Sequence, residues 1–237
     1  MKNPLNQIVA KVRVSLGFWT LVKDPGRLAE IISLADAIEM PEVLEAMAAY
    51  FAGDPKGARA MDERPRIGRV DLEVLRRLPD GTLGRAFAEH AIANCIDPNA
   101  IPELKGDDRV SFMRAHLFET HDIWHTVTGF PTDFASEIGL QAFYFAQFPA
   151  QFTAAIMAIN FLNLAFYDLG EREARMDAIV RGWKMGKRAE KLFGVPWADL
   201  WATPIDEVRR TLGIVIEEAP QKRAARLPSI EVTSSPN

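Results

Sequence analysis

The chain is short of cysteine, of histidine and of charge of one sign. Cys95 is the single cysteine among 237 residues. An intramolecular disulfide is therefore excluded, and a reducing, cytoplasmic compartment is expected. The 28 Lys and Arg against 32 Asp and Glu leave a net charge of −4. That balance offers no basic face, so nucleic acid is not an expected partner. No Gly-rich phosphate loop, serine elbow or cysteine nucleophile stands out. The N-terminal stretch Ile8 to Val22 is partly apolar, but Lys11 and Arg13 interrupt it and no small-residue cleavage site follows. It does not read as a secretory signal. It reads as a short amphipathic helix. Its basic residues either touch an anionic membrane surface or stay solvated while the apolar face packs on the core.

Strand alternation is scarce as well, and helical periodicity dominates. Hydrophobic residues at 48% and charged residues at 25% are ordinary for a folded chain. Helices are expected over Arg27–Met40, Pro41–Phe51, Asp71–Arg77, Leu83–Asn94, Arg109–Val127, Asp133–Gln147, from beyond Pro149 to Asp168, over Glu171–Phe193 and over Asp206–Leu212. Gly53-Asp54-Pro55-Lys56-Gly57 reads as a turn cluster. The expected fold is all-α, a single compact multi-helix domain over 1–216 with a central apolar helix pair. From Glu217 the chain turns polar, with Pro220, Pro228 and Pro236, so 217–237 is expected to be a flexible tail.

Charge is missing altogether from Ile138 to Tyr167. Thirty such residues are long enough to span a bilayer, but Gln141, Gln147, Gln151, Asn160 and Asn163 are costly in lipid and Pro149 splits the run. A buried helix pair is the main expectation. A second is a hydrophobic tunnel for a long apolar ligand, lined by Phe145, Phe148, Phe152, Met157 and Phe161. Those residues suit an ordinary core equally well.

What the chain does have is His121-Asp122-Ile123-Trp124-His125. The two histidines stand at i and i+4, one turn apart on one helical face. That spacing lets two imidazoles hold one metal ion at about 2.0–2.1 Å. Asp122 sits ~100° round the helix from His121, placed to flank the same ion or to orient a histidine. After the turn at Gly129–Pro131, Glu137 lies one turn into the next helix and can face the pair. The expected ligands are His121, Asp122, His125 and Glu137. Zinc is the default occupant, with iron, cobalt or manganese compatible with the same donors. His116 lies off the His121 face, and His90 reads as a surface residue. A metallohydrolase is the generic alternative, but its usual glutamate between the histidines is here Asp122.

His121-Asp122-x-x-His125, followed after eleven residues by Glu137, resembles the motif of the fourth protein of the coenzyme Q (ubiquinone) biosynthesis series. Glu63-Arg64-Pro65-Arg66-Ile67, Leu78-Pro79-Asp80-Gly81-Thr82-Leu83-Gly84-Arg85, Glu119, Trp201, Arg209 and Leu212-Gly213-Ile214 match in the same order. The resemblance covers about residues 20–214. It implies a helical protein that binds a divalent metal through that motif. It implies a role in replacing the ring carboxyl of a prenylated benzoate by a hydroxyl, an oxidative decarboxylation. It also implies a groove for the prenyl tail, contact with other quinone-biosynthesis proteins and peripheral attachment at the inner face of the cytoplasmic membrane. Glu119 is a candidate for proton transfer or for support of a ligand. A homodimer is the expected assembly. The alternative is a non-catalytic prenyl-lipid carrier or scaffold with a structural metal. The chain departs from the family pattern at His116, Phe118, Ser136, Gln141, Tyr144 and Ala198, so the ligands are kept while the polar surroundings are replaced. Arg114, two turns before His121, is placed to substitute for a lost arginine.

Overall fold

A computed structural model describes residues 15–38, 40–100 and 105–217. Part of the expected N-terminal helix and nearly all of the expected tail lie outside these residues. The described helices are α1 (15–23), α2 (Leu28–Ile38), α3 (Pro41–Ala52), α4 (Pro55–Glu63), α5 (Leu72–Arg76), α6 (Leu83–Ala93), α7 (Arg109–Thr128), α8 (Phe134–Gln147), α9 (Gln151–Phe166), α10 (Arg172–Arg188) and α11 (Ile205–Thr211). Among the described residues the β structure is one isolated bridge, Thr82 with Pro204. The fold is all-α.

α7 is the axis. Asp108 opens it with a capping box shared with Ser111, which satisfies backbone N–H groups the helix leaves unpaired. Gly129, at φ 70°, closes it in the left-handed conformation that favours glycine. The segments flanking α7 are pinned to it by side chains. Arg209 donates to the carbonyls of Val127 and Thr126 at 3.0 and 3.1 Å, occupying the orphan acceptors at the helix end. Gly84 N–H reaches the Trp201 carbonyl at 2.9 Å, which brings the Leu78–Arg85 segment against the residues after α10.

The tightest packing is α8 on α10. A Cβ on Gly182 would stand 1.9 Å from the Gly139 carbonyl oxygen, and one on Gly186 2.7 Å from that of Phe143. Small residues let the two backbones meet. Gln147 closes the seam, donating to the Gly186 carbonyl at 2.8 Å and accepting from Leu192 N–H at 2.9 Å. The charge-free run is broken at Phe148–Ala150 into α8 and α9. α8 is covered on both sides, whereas α9 leaves Phe161 45% exposed and packs its other side on Leu21, Val22 and Leu34 of α1 and α2. Among the described residues no single helix is long and apolar enough to cross a membrane.

Two differences from the sequence expectation are local. The turn cluster at 53–57 is the start of α4: Asp54 accepts from Lys56 and Gly57 N–H at 2.8 and 3.3 Å, and Pro55 takes the first helical position. α10 ends at Arg188 rather than Phe193, because Leu192 and Phe193 turn into the core instead.

Candidate metal centre

His121 and His125 sit one turn apart on α7 with ring centroids 4.9 Å apart. The His125 side chain is 1% exposed. Its Nδ1 lies 2.9 Å from the Phe130 carbonyl. A carbonyl only accepts, so Nδ1 carries the proton and Nε2 is left to accept or to ligate. The turn after Gly129 therefore sets the tautomer. His121 Nδ1 lies 3.2 Å from the Tyr144 hydroxyl, and Tyr144 is clamped flat against Trp124 at 4.3 Å.

Glu137 reaches in from the first turn of α8. Asp133 caps that helix through Ser136 N–H at 3.1 Å, and an acidic residue in the first turn suits the helix dipole. Glu137 Oε1 is 3.0 Å from His125 Nε2, and Oε2 is 3.9 Å from His121 Nε2. One donor atom from each of the three residues falls within 4.8 Å of the others.

The electrostatics follow from this cluster. Burial pushes the Glu137 carboxyl up, but the two imidazoles outweigh it and hold it below the ordinary glutamate value. Burial disfavours charge on His125 too, yet Glu137, the Phe130 carbonyl and Asp122 raise it. His121 is lowered, by burial and then by His125. Burial, with Asp122 and Glu137 nearby, raises Tyr144 well above 10.0 and keeps the phenol neutral.

The donors fit a divalent ion. His125 Nε2 is buried, and its approach to Glu137 lacks hydrogen-bond alignment. A tetrahedral ion with bonds of about 2.1 Å wants donors about 3.4 Å apart, close to the spacings found. Each histidine has its remote nitrogen engaged by an oxygen, as metal-bound histidines do. The His121 and Glu137 side chains are 34% and 33% exposed, so the cluster opens to one side.

The family profile described as "Coenzyme Q (ubiquinone) biosynthesis protein Coq4" matches residues 3–218. The chain belongs to the Coq4 family. A mitochondrial ubiquinone biosynthesis protein COQ4 from Pyricularia oryzae is 29% identical over 94% of this chain and 74% of its own length. Its counterpart in Aspergillus fumigatus is 30% identical over 86% of this chain and 71% of its own. A crystal structure from Nostoc punctiforme superposes with a TM-score of 0.74 at 26% identity, covering 86% of this chain and 98% of that one.

Within this Coq4 fold the other expected residues take different places. Asp122 is outside the three-residue donor cluster and acts on its neighbours through charge. Both Glu119 oxygens are engaged by the Arg66 guanidinium, and Oε2 also accepts from Ile67 N–H at 3.3 Å. That carboxylate ties the 64–67 loop to α7. The five expected tunnel residues do not share one surface. Phe148 is buried in the main core, 4.9 Å from the Phe51 ring. Phe152 and Met157 are half-buried, and Phe161 is exposed. Phe145 lines a cavity of about 330 Å³ with Val43, Met47, Pro149, Ala150 and Ala154. Arg114 is half-buried on α7, while Phe118 and Ala198 are exposed.

The two remaining histidines make contacts that the sequence left unassigned. His116 is buried and bridges two chain segments: Nδ1 is 3.1 Å from the Pro65 carbonyl, and Nε2 accepts from Gly194 N–H at 3.0 Å. Burial lowers it to about 4. His90, expected at the surface, stacks on His125 with centroids 5.9 Å apart and planes 19° off parallel. Nothing in the spacing of α6 signals this contact, which depends on how α6 crosses α7. Tyr144 did carry a signal, since seven residues after Glu137 is two turns along the same stripe of α8.

Proposed function

We propose that this protein acts in ubiquinone biosynthesis as a metal-dependent protein that binds the carboxylated ring of a prenylated 4-hydroxybenzoate for removal of its C1 carboxyl. The observation that carries the reading is the three-donor cluster of His121, His125 and Glu137, fixed by the Phe130 carbonyl and the Tyr144 hydroxyl and open on one side. Zinc is the default ion for two imidazoles and a carboxylate. A divalent ion held there supplies Lewis acidity toward the ring carboxylate. The chain's own residues hold and orient. Phe130 and Tyr144 set the two imidazoles, Trp124 fixes Tyr144, and the negative end of Asp122 stays beside the centre. The neutral Tyr144 hydroxyl stands 3.2 Å from His121 Nδ1.

The prenyl tail would run along apolar surface outside the centre. The cavity of about 330 Å³ between α3, α8 and α9 supports that reading, since buried apolar area is worth about 25 cal/mol per Å². A membrane-facing role fits the exposed Trp19, Phe166, Tyr167 and Leu169. The same openness of the cluster favours a ligand-binding metal over a structural staple, because structural zinc is normally closed by four protein ligands.

Elemental analysis of protein purified without chelator tests the centre. About one divalent ion per chain is expected, lost in His121→Ala and Glu137→Ala. Deleting the gene in a ubiquinone-making host should lower quinone and accumulate a carboxylated prenyl intermediate. Metal-free wild-type protein with an unchanged lipid profile would refute the proposal.

A further inference from the structure

The outward face of α8 carries three side chains one turn apart, Glu137, Gln141 and Phe145. The Glu137 side chain is 33% exposed, Gln141 is half-buried and Phe145 is 39% exposed. Between them Ile138, Leu140, Ala142 and Phe143 turn into the core. A spacing of four residues sets side chains in a row along one helix face, with a rise of about 6 Å per step. The row starts at the centre, where Glu137 meets both histidines. It ends at the cavity of about 330 Å³ that Phe145 lines. Gln141 stands between the two.

Its place beside the centre is fixed by its neighbours on the helix. Gln141 is four residues after Glu137 and three before Tyr144, the two spacings that make helical side chains adjacent. Both neighbours reach His121: Glu137 Oε2 is 3.9 Å from its Nε2, and the Tyr144 hydroxyl is 3.2 Å from its Nδ1. Tyr144 is buried, while the His121 and Glu137 side chains are about one-third exposed. Gln141 therefore borders the side on which the cluster opens. Its amide makes no hydrogen bond among the described residues, and both its nitrogen and its oxygen reach the surface. A ligand entering from solvent meets a free donor and a free acceptor on one neutral group.

We propose, on the basis of the carboxylate-binding reading above, that Gln141 is the specificity-determining residue for the ring hydroxyl, its amide oxygen accepting a hydrogen bond from that group. The order of groups matches. A 3-prenyl-4-hydroxybenzoate has its carboxyl at one end of the ring and its tail beside the hydroxyl. Along α8 the centre, the amide and the apolar cavity follow in the same sequence. Charge argues the same way. Asp122 and Glu137 already bring two carboxylates to the centre, so a third beside them would repel the substrate's own carboxylate, and a cation would compete with the ion for it. A neutral amide does neither and pairs with a neutral hydroxyl. An analogue without the hydroxyl gains nothing from Gln141.

Calorimetric titration of the zinc-loaded full chain tests this with two probes. One is 4-hydroxybenzoate bearing a single five-carbon prenyl group at C3, and the other is the same benzoate without the ring hydroxyl. Wild type should bind the hydroxylated probe about tenfold more tightly, the usual scale of one hydrogen bond. Gln141→Met keeps the length of the side chain and its helix propensity and removes both polar atoms. It should keep its zinc, bind the deoxy probe as wild type does, and lose the preference. Gln141→Ala should lose it too, which separates the amide from any effect of the methionine chain on the neighbouring cavity. Wild type that binds the two probes equally, or Met and Ala variants that keep the preference, would overturn the role of Gln141 and leave the carboxylate reading standing. Loss of zinc from both variants would make Gln141 a support of the ion and overturn its selective role. Wild-type protein that takes up zinc and binds neither probe would overturn both.

Discussion

His116 shows how one side chain joins distant segments and makes them sensitive to acid. The ring donates from Nδ1 to the Pro65 carbonyl and accepts at Nε2 from Gly194 N–H, so only the neutral tautomer fits. Its folded value of about 4 lies below the ordinary 6.5. The unfolded chain takes up the proton first as pH falls, so the stability is complete above pH 6.5 and is lost progressively down to about pH 4. The shift corresponds to about 3 kcal/mol. His116→Gln offers a donor and an acceptor without titrating. Denaturant melts between pH 7 and 4 should show a shallower acid loss in that variant than in wild type, and equal slopes would place the acid sensitivity elsewhere. Tyr144 supplies a second residue-level expectation. Its hydroxyl is the oxygen partner of His121 Nδ1. Removing such a partner weakens metal affinity by about 10–100-fold, so Tyr144→Phe should lose zinc to a competing chelator at lower chelator concentration. The phenylalanine keeps the ring on Trp124, so the thermal midpoint of the metal-free form should move little.

Helices meet where the side chains between them are smallest, and the α8–α10 seam is the clearest case. Gly182→Ala would place a methyl against the Gly139 carbonyl, 1.9 Å away with no side chain to yield. Overpacking of this kind costs about 1–3 kcal/mol, and more where backbone must move. Gly170 has nothing within 4 Å of its Cβ position, so Gly170→Ala should be neutral or stabilise by about 0.4–1 kcal/mol. Urea unfolding of the two variants side by side checks the contrast. At this scale the sequence was readable where a helix carried its own punctuation. Gly129 and Pro131 close α7, and Asp133 opens α8, which is why Glu137 could be placed opposite His125 in advance. It was unreadable where the same residues serve two purposes. Asp54, Pro55 and Gly57 look like a turn and are a helix start, with Gly57 needed because its Cβ would come within 2.1 Å of the Phe51 carbonyl. His90 was lost for a different reason: its neighbour is on another helix, and no periodicity within α6 encodes a crossing.

The whole molecule divides the charge-free run between two environments. Phe148 belongs to the main core shared by α3, α7, α8 and the residues after α10, with its ring tilted against Phe51 at 4.9 Å and edge-on to Tyr144 at 5.8 Å. α9 covers a separate small cluster with α1 and α2, and turns Phe161 and Phe166 outward. A residue in a close-packed core and a residue on an open apolar face respond differently to truncation. Phe148→Ala leaves a cavity that the rigid surroundings cannot collapse into, and should cost about 3–5 kcal/mol. Phe161 is 45% exposed, so Phe161→Ala removes a side chain already about half in water and should cost clearly less than Phe148→Ala. If the outward face of α9 receives a prenyl chain or a bilayer, the loss appears in binding instead. Phe161→Ala should then release copurified lipid in native mass spectrometry, or sediment less with anionic vesicles, while melting well above Phe148→Ala. Phe148→Ala should retain lipid in proportion to the fraction still folded. Equal lipid and equal vesicle binding in Phe161→Ala would show that α9's exposed aromatics take no part in ligand binding, and would return the run to the role of core for α8 alone.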